Sequence, residues 1–232
     1  MSVPLSPSKA APTRPVQRAL LGNQIADALR RDILLGVLKP GTQVSQQKLC
    51  EQFGTSRMPV RDGLRVLAHE GLVVLDAAQH TIVAPLSRAD LLDSYVIEGA
   101  LAGMAAERAS AHASVEDLAH LESLHQLMVD GALQDEFSEM ADLNWNLHRS
   151  INRMAQSRKL LSALKKVSLD LPRDFLTQMP EWSSRSNDDH EAVLAAMRAK
   201  KHKRAGAAMR QHIVNSGDGL IVYLEAAGLE LD

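Results

Sequence analysis

Cysteine and aromatic residues are scarce in this chain. Its 232 residues include one Cys and only 3% Phe, Trp and Tyr, although 45% are hydrophobic. Cys50 has no partner for a disulfide within the chain, and its place in a helical Leu-Cys pair favours core packing. A core with so few rings must consist largely of Leu and Ala, which indicates a helical fold. The length leaves room for two domains.

Long apolar segments are also absent. No hydrophobic run reaches the roughly 18 residues needed to span a bilayer. The opening segment, residues 1–15, is rich in Pro and Ser and has no apolar region, so we interpret it as a disordered tail rather than a signal peptide. The sequence contains no internal repeat, Rossmann-type glycine loop or nucleophile elbow. We therefore expect a cytoplasmic protein that does not bind membranes.

The chain has almost no net charge, at −2, but its two parts differ in sign. Residues 1–86 carry ten Lys and Arg against six Asp and Glu, which is +4, whereas residues 87–232 carry sixteen against twenty-two, which is −6. The basic N-terminal part is typical of a nucleic-acid-binding domain. Because +4 is modest, we expect two copies to bind together, as in a dimer on a two-fold site.

The stretch TSRMPVRDGLRVLAHEGL, residues 55–72, has the pattern of one amphipathic helix followed by a strand. Ser56 can cap the helix, and Pro59 in its first turn lacks a backbone donor that would otherwise need a partner. An apolar stripe and a cationic stripe repeat at helical spacing, formed by Val60, Leu64 and Leu67, and by Arg57, Arg61 and Arg65. Gly71 is placed to end the helix, and residues 72–75 are of strand type.

Three arginines at this spacing are, in isolation, more often a solvated helix face. The surrounding sequence favours a DNA-binding role instead. Leu21 to Leu35 has helical periodicity, a Lys-Pro-Gly turn follows, and Ser45 caps a short helix that Gly54 closes. Two strands are predicted around Asp76 to Thr81. This order of elements predicts a helix-turn-helix with a wing.

The run GVLKPGTQVSQQKLCEQFGTSRMPVRDGLRVLAHEGLVVL resembles the DNA-binding domain of the GntR transcriptional regulators. Nearly every anchor of that family's pattern is present, from its Pro-Gly turn through Ser-Arg-x-Pro-Val-Arg to the closing Glu-Gly-Leu. The resemblance implies a set of DNA-contacting residues on the recognition helix, its neighbour and the wing: Ser45, Ser56, Arg57, Met58, Arg61, Arg65, Gln79 and His80.

Arginine suits this work because its planar fork can take guanine O6 and N7 together or can hold a phosphate. We expect Arg61 to contact a base, and Arg57 to contact phosphate or a base. The family's wing tip usually carries Arg-Gly, whereas Gln79 and His80 take those positions here. The wing is therefore less cationic than in the family.

A domain boundary is predicted near residue 86, where a proline interrupts the strand-like residues and Ser87 offers a helix cap. We expect residues 16–86 to form the winged helix-turn-helix and residues 87–232 an antiparallel all-helical bundle, so that the fold is mainly α. Six amphipathic helices are predicted in the second part: Asp90 to Ala113, Val115 to Leu133, Glu136 to Met154, Leu160 to Met179, His190 to Lys200 and Arg204 to Ala227.

Three of the nine histidines form a pattern in the second part. Asn144 and His148 are four residues apart and share a helix face, while His190 and His212 lie on two later helices. Three imidazoles and an amide oxygen from three helices can meet around a divalent metal. Five others have polar neighbours and are expected at the surface: His69, His112, His120, His125 and His202.

The second part also resembles the FCD ligand-binding domain of the FadR-type branch of that family. The segments NWNLH, DDHEAVLAAM and MRQHI match its metal-binding motifs, and DLLDSYVIEGALAGMAAERA resembles its first helix. The resemblance implies a divalent metal ion, with zinc, nickel or manganese as candidates, bound by Asn144, His148, His190 and His212. Asn144 replaces the family's aspartate and brings no negative charge, which predicts weaker metal binding.

The same first helix marks a candidate effector-binding residue. Glu98 aligns with an arginine that the family commonly uses to pair with a carboxylate effector, so an anionic effector is expected to be repelled there unless Glu98 faces away or binds the metal or a cationic group.

The resemblance implies a homodimeric regulator, by default a repressor, that binds a palindromic operator and responds to a small molecule, often an organic acid. Two alternatives remain, a regulator with a purely structural metal and a metal-dependent hydrolase. The hydrolase lacks an obvious general base, because Glu191 is adjacent to His190 and points elsewhere on a helix.

Overall fold

The computed structural model of the chain describes residues 14–134, 139–168, 180–229 and 231, with side chains described from residue 20 and, after the second gap, from residue 185. The expected tail, residues 1–15, lies almost entirely outside the described residues. The chain divides into two compact units between Ala84 and Pro85. The first unit contains α1 Arg14–Leu34, α2 Gln46–Gln52, α3 Arg57–His69, β1 Val73–Leu75 and β2 Thr81–Val83.

The second unit contains six of the described helices: α4 Arg88–His112, α5 Val115–Leu133, α6 Met140–Met154, α7 Arg158–Val167, α8 Pro180–Arg198 and α9 His202–Ala226. The prediction of a mainly helical protein, with a winged helix-turn-helix and a helical bundle, is confirmed. Within the described residues, no helix is both long and apolar enough to cross a membrane.

In the first unit, α1 packs across α3 around a small aliphatic core. Its buried side chains include Ile25, Ile33, Leu34, Val60 and Leu67, each no more than 1% exposed. The two helices approach closely because both carry glycine at the contact: a Cβ at Gly63 would lie 2.8 Å from the carbonyl oxygen of Gly22. This packing holds α3 so that its polar face points to solvent.

The start and end of α3 agree with the prediction in position, although Ser56 does not cap as expected. Ser56 is the N-cap residue, yet within the described residues its side chain makes no capping hydrogen bond. At the start of α2 the predicted cap does form, because the side chain of Ser45 accepts a 3.4 Å hydrogen bond from the Lys48 backbone N–H. Gly71 follows α3 with a positive φ of 74°, which glycine adopts without strain.

The wing is a short antiparallel hairpin in which Val73 pairs with Val83 and Leu75 with Thr81. Its turn is organised by Asp76, whose Oδ1 accepts hydrogen bonds from the backbone N–H groups of Ala78 and His80. Gln79 has a positive φ of 64° within this turn. The side chains of Gln79 and His80 are therefore held at the exposed tip.

In the second unit, α4 and α9 run antiparallel in close contact. Ser110 bonds to His202 at one end of the pair, and Arg88 forms an ion pair with Glu225 at the other. Near the end marked by Ser110 and His202, a Cβ at Gly103 would lie 2.7 Å from the carbonyl oxygen of Gly206. Larger side chains would keep the two backbones apart, so glycine permits this approach.

The predicted bounds of α4, α5 and α9 agree with the structure to within two residues, whereas three others differ. α6 begins at Met140 rather than Glu136, although residues 136–138 lie outside the described residues. α7 ends at Val167, and residues 169–179 of its predicted extension lie outside the described residues too. α8 begins at Pro180, ten residues before the predicted start at His190.

Candidate metal centre and nucleic-acid interface

The exposed face of α3 is cationic. Arg57, Arg61 and Arg65 repeat every four residues and are all exposed, while Val60 and Leu64 between them are buried. No carboxylate among the described residues forms an ion pair with any of the three. Their guanidinium groups are therefore available to phosphate or to base edges.

Two side chains of this face contact each other. Arg61 donates a 3.1 Å hydrogen bond to Sδ of Met58, one turn earlier. Met58 is 40% exposed, so its side chain adds an apolar group beside the guanidinium. Ser45 is half-buried at the start of α2, and Ser56 is exposed at the start of α3.

The wing tip carries the two remaining predicted DNA-contacting residues. Gln79 and His80 are both exposed. Nδ1 of His80 lies 3.2 Å from Oδ2 of Asp76, so a carboxylate neighbours the only ionisable group of the pair. Backbone and side-chain hydrogen bonds from His80 hold the pKa of Asp76 below its usual range. The wing tip therefore has a weaker positive charge than α3.

The structure brings together three histidines from three helices. Nε2 of His148 on α6 lies 3.2 Å from Nε2 of His190 on α8 and 3.1 Å from Nε2 of His212 on α9, and the last two atoms are 3.2 Å apart. His190 and His212 are buried and His148 is half-buried. We call these three residues the histidine triad.

Hydrogen bonding cannot satisfy the triad. A neutral imidazole has one N–H, so protons can relieve at most two of the three Nε2 contacts and leave a pair of nitrogens facing each other. Within the described residues, neither Nδ1 of His190 nor Nδ1 of His212 has a hydrogen-bond partner. Buried polar atoms are rarely left in this state, which indicates that the triad binds a ligand of its own.

The electrostatics favour neutral imidazoles. Burial, followed by repulsion from His212, lowers the pKa of His148 to about 3. Burial also lowers the pKa of His190 well below its usual 6.5, with further contributions from His212, His148 and His125. A neutral imidazole offers a lone pair, which is the form that coordinates a metal.

The donor set fits a divalent metal ion. Zinc–imidazole bonds of about 2.0–2.1 Å in a tetrahedral arrangement place two ligand nitrogens roughly 3.3–3.4 Å apart, close to the separations in the triad. Asn144 lies one helical turn before His148, and its Oδ1 is buried without a hydrogen-bond partner among the described residues. An amide oxygen in this position can act as a further ligand. An ion bound there would supply Lewis-acid coordination to a small ligand.

Glu98 makes contacts that the sequence did not predict. Its Oε1 accepts a 2.7 Å hydrogen bond from Oγ of Ser168, the C-cap residue of α7. Glu98 also makes a further interaction. Glu98 therefore links α4 to the C-cap of α7, and its role in effector binding stays a prediction.

His125 does not lie at the surface as predicted. Its side chain is only 12% exposed, its Nε2 lies 3.0 Å from the carbonyl oxygen of Asn187, and its ring packs edge-on against His190. Polar sequence neighbours predicted exposure, but the opposing helix α8 covers this position. His69, His112 and His120 are exposed as expected, whereas His202 is half-buried against Ser110.

Asp189 is a further site residue that sequence reasoning missed. Its Oδ2 lies 3.4 Å from Nδ1 of His212, on the side of the ring opposite the triad. The interaction with His212, and then the hydrogen bond from Asn215, hold the pKa of Asp189 below its usual range. Helical periodicity within one segment could not reveal this contact, because it joins α8 to α9. Glu191 faces elsewhere, as predicted, and binds Arg198 at 2.7 Å.

Two family patterns match the chain. Residues 21–83 match the family described as bacterial regulatory proteins, gntR family, and residues 93–215 match the FCD domain. The second match alone covers more than half of the chain and contains the histidine triad. The two matched ranges fall on either side of the division between the compact units.

Curated relatives and solved structures agree with these matches. The chain is 26% identical over 211 residues to the HTH-type transcriptional repressor RspR of Escherichia coli, covering 87% of each chain. It is 26% identical over 214 residues to a probable D-xylose utilization operon transcriptional repressor of Paenarthrobacter nicotinovorans, covering 88% of this chain and 90% of that one. The structure of E. coli McbR/YncC has the same fold, with a TM-score of 0.63 at 21% identity over 89% of this chain and 97% of that chain.

Proposed function

Because the chain belongs to the GntR family of bacterial regulatory proteins and carries an FCD domain, we propose that it is a repressor that binds a palindromic operator as a homodimer. Members of this family are transcriptional regulators and not enzymes, so the hydrolase alternative is wrong. We assign DNA binding to residues 16–86, and dimerisation and effector binding to residues 87–232. Two of the relatives above are themselves called repressors.

The observation that carries the proposal is the cationic face of α3. Three exposed arginines without carboxylate partners among the described residues stand on a helix whose opposite face is fixed in the core. In our proposal Arg61 reads a base, Arg57 contacts phosphate or a base, and Arg65 lies farther along the same face against the backbone. Ser45, Ser56, Met58, Gln79 and His80 complete the contact surface.

The proposal of a dimer rests on the weak electrostatic attraction of one copy to DNA. One copy offers a net charge of +4 in residues 1–86, which supports few phosphate contacts. Two copies related by a two-fold axis double those contacts and read two half-sites about 34–36 Å apart. We therefore expect an operator with inverted repeats.

Control by a small molecule is assigned to the helical unit. Asn144, His148, His190 and His212 would hold a zinc, nickel or manganese ion, and a small organic acid could coordinate it at an open position. Glu98 places a negative charge in the same unit, where the family often has arginine, so recognition of the acid would depend on the metal rather than on a cation from α4. Binding that favours one arrangement of the dimer would change operator affinity.

A second candidate is a regulator whose metal is only structural. The triad supports this reading as well, since it joins α6, α8 and α9 and would stabilise the bundle in either case. Metal removal that lowers the melting temperature while operator affinity stays the same would favour it. Metal removal that changes operator affinity would favour effector control.

The experiment selects bound genomic fragments with the purified full-length protein, with and without a chelator. We expect enrichment of one palindrome. Arg61→Ala should then weaken binding to that palindrome and relax its sequence preference, whereas Arg158→Ala, at an exposed arginine of α7, serves as the control. Equal sequence preference in Arg61→Ala and the control would refute the base-reading role, and no enrichment by the wild type would refute the proposal.

A further inference from the structure

A carboxylate lies directly behind the histidine triad without belonging to it. Oδ2 of Asp189 is 3.4 Å from Nδ1 of His212, while Nε2 of the same ring faces the triad. This separation is longer than the usual 2.7–3.2 Å for an N–H···O hydrogen bond, and Nδ1 of His212 makes no hydrogen bond among the described residues. Among the ion pairs of the described residues, this is the one that involves a triad ring.

The position of this carboxylate is fixed by a second contact. Nδ2 of Asn215 donates a 2.8 Å hydrogen bond to Oδ2 of Asp189, the same oxygen that faces His212. Asn215 lies one helical turn after His212 on α9, whereas Asp189 lies on α8. The Asp189 side chain is 26% exposed and its carboxylate is held between two helices, whereas its neighbour Asp188 is exposed.

A carboxylate at Nδ1 has a defined effect on an imidazole that coordinates through Nε2. It accepts the Nδ1 proton, which fixes the tautomer whose lone pair is on Nε2, and it makes that nitrogen a stronger donor. His190 lacks this support, since no ion pair among the described residues joins a carboxylate to its ring, whereas Asp189 lies beside the ring of His212. His212 is therefore the ligand whose tautomer the protein determines most directly.

The carboxylate also bears on the charge of the site. The four candidate ligands, Asn144 and the triad, are all neutral donors, so an ion with a charge of +2 would enter without compensation from its ligands. Asp189 provides a negative charge one residue removed from the metal, across the ring of His212. An aspartate at position 144 would bring a negative charge to the metal as a ligand. In this chain Asp189 supplies the negative charge from the far side of His212, without being a ligand itself.

We propose that Asp189 is the positioning residue of the metal centre: it fixes His212 as the Nδ1–H tautomer and supplies the negative charge that the four ligands lack. This inference rests on the metal site of the proposed function. Loss of such a partner typically lowers metal affinity by about 10–100-fold. The adjacent Asp188 offers a matched control, because it has the same charge, lies one residue away and is exposed.

The test measures zinc affinity of the full-length protein by competition with a chromophoric chelator. We expect Asp189→Ala to weaken binding by about 10–100-fold, Asp189→Asn to weaken it less because an acceptor oxygen remains, and Asp188→Asn to bind as the wild type does. The absorption bands of bound cobalt should also shift in Asp189→Ala, since the donor strength of His212 changes. A merely structural role for Asp189 would leave those bands unchanged.

The outcomes separate the two claims. Zinc affinity of Asp189→Ala equal to that of Asp188→Asn would overturn the role of Asp189 while leaving the metal centre intact. Failure of the wild type to bind zinc or cobalt would overturn the metal centre itself. If Asp189→Ala does not fold, Asn215→Ala frees the carboxylate without removing it, and zinc affinity equal to the wild type in both Asn215→Ala and Asp189→Asn would also overturn the proposal.

Discussion

Arg30 offers a sharp test of how burial decides the strength of an ion pair. The guanidinium, 2% exposed on α1, lies 2.6 Å from two carboxylates, Asp27 and Glu70. The side chain of Asp27 is 61% exposed, and that of Glu70, the C-cap residue of α3, is 16% exposed. Burial acts to lower the pKa of Arg30, but the hydrogen bonds to Glu70 and Asp27 outweigh it, so the pKa is raised and the guanidinium stays charged.

The two carboxylates should therefore differ in energy despite equal distances. Glu70→Gln removes the charge from a partner that binds both Nε and an Nη of the buried guanidinium. Breaking a buried pair in this way costs about 3–5 kcal/mol. Asp27→Asn removes the charge from an exposed partner, where water screens the interaction, and should cost about 0–1 kcal/mol.

Amide hydrogen exchange of the full-length protein, followed on peptides from α1 and α3, measures both effects in the unit that contains them. We expect exchange in Glu70→Gln to be faster by roughly a hundredfold or more, because each 1.4 kcal/mol corresponds to a factor of ten. Asp27→Asn should change exchange by less than about tenfold. If the two substitutions accelerate exchange equally, the reasoning is refuted, because the strength of each ion pair would then depend on its N···O distance and not on the burial of the carboxylate.

Three further results are expected. Gly103→Ala should lower the melting temperature, because its Cβ would meet the carbonyl oxygen of Gly206 at 2.7 Å and overpacking costs about 1–3 kcal/mol; an unchanged melting temperature would contradict the close approach. Zinc at about one hundred times its Kd should stabilise the helical unit by about 2.7 kcal/mol, an increase that a chelator reverses. Hydrogen bonds from Ser114 hold the pKa of Asp117 below its usual 3.8, so this carboxylate caps α5 above that pH and releases it as the pH falls through the lowered pKa; Asp117→Ala should remove that pH dependence from exchange in the first turn of α5.

The fold was largely predictable because its main elements have strong local signals. The stripe of Val60, Leu64 and Leu67 and the glycine after Glu70 are sufficient to predict α3, and the structure places it at Arg57–His69. α8 is different, because its first ten residues, PEWSSRSNDD, have no apolar periodicity. The helix begins at Pro180 all the same, where a missing N–H carries no cost. Packing of the later part of α8 against α5 and α9 is a tertiary effect that the segment alone does not reveal.

The candidate site, like the fold, has a part that local sequence signals predict and a part that they do not. Spacing and resemblance predicted the three histidines, since each lies at a recognisable position on its own helix, and the structure brings their Nε2 atoms together. The contacts of Asp189 and His125 escaped prediction because each joins two helices, and their relative rotation depends on the whole core. Ser56 escaped for a smaller reason, because a residue type favoured at the N-cap position does not guarantee that its side chain adopts the capping rotamer.

The close approach of α4 and α9 has a mechanical consequence. At Gly103 and Gly206 the two backbones touch without an intervening layer of side chains, so rotamer changes cannot absorb a displacement there. His212 stands on α9, and Ser87 caps the start of α4, where the connection from the first unit arrives. The pair α4 and α9 is therefore rigid. If a bound ion displaces His212, we expect both helices to shift together, so that the displacement reaches the connection before Ser87 and is not absorbed by side-chain rearrangement within the bundle.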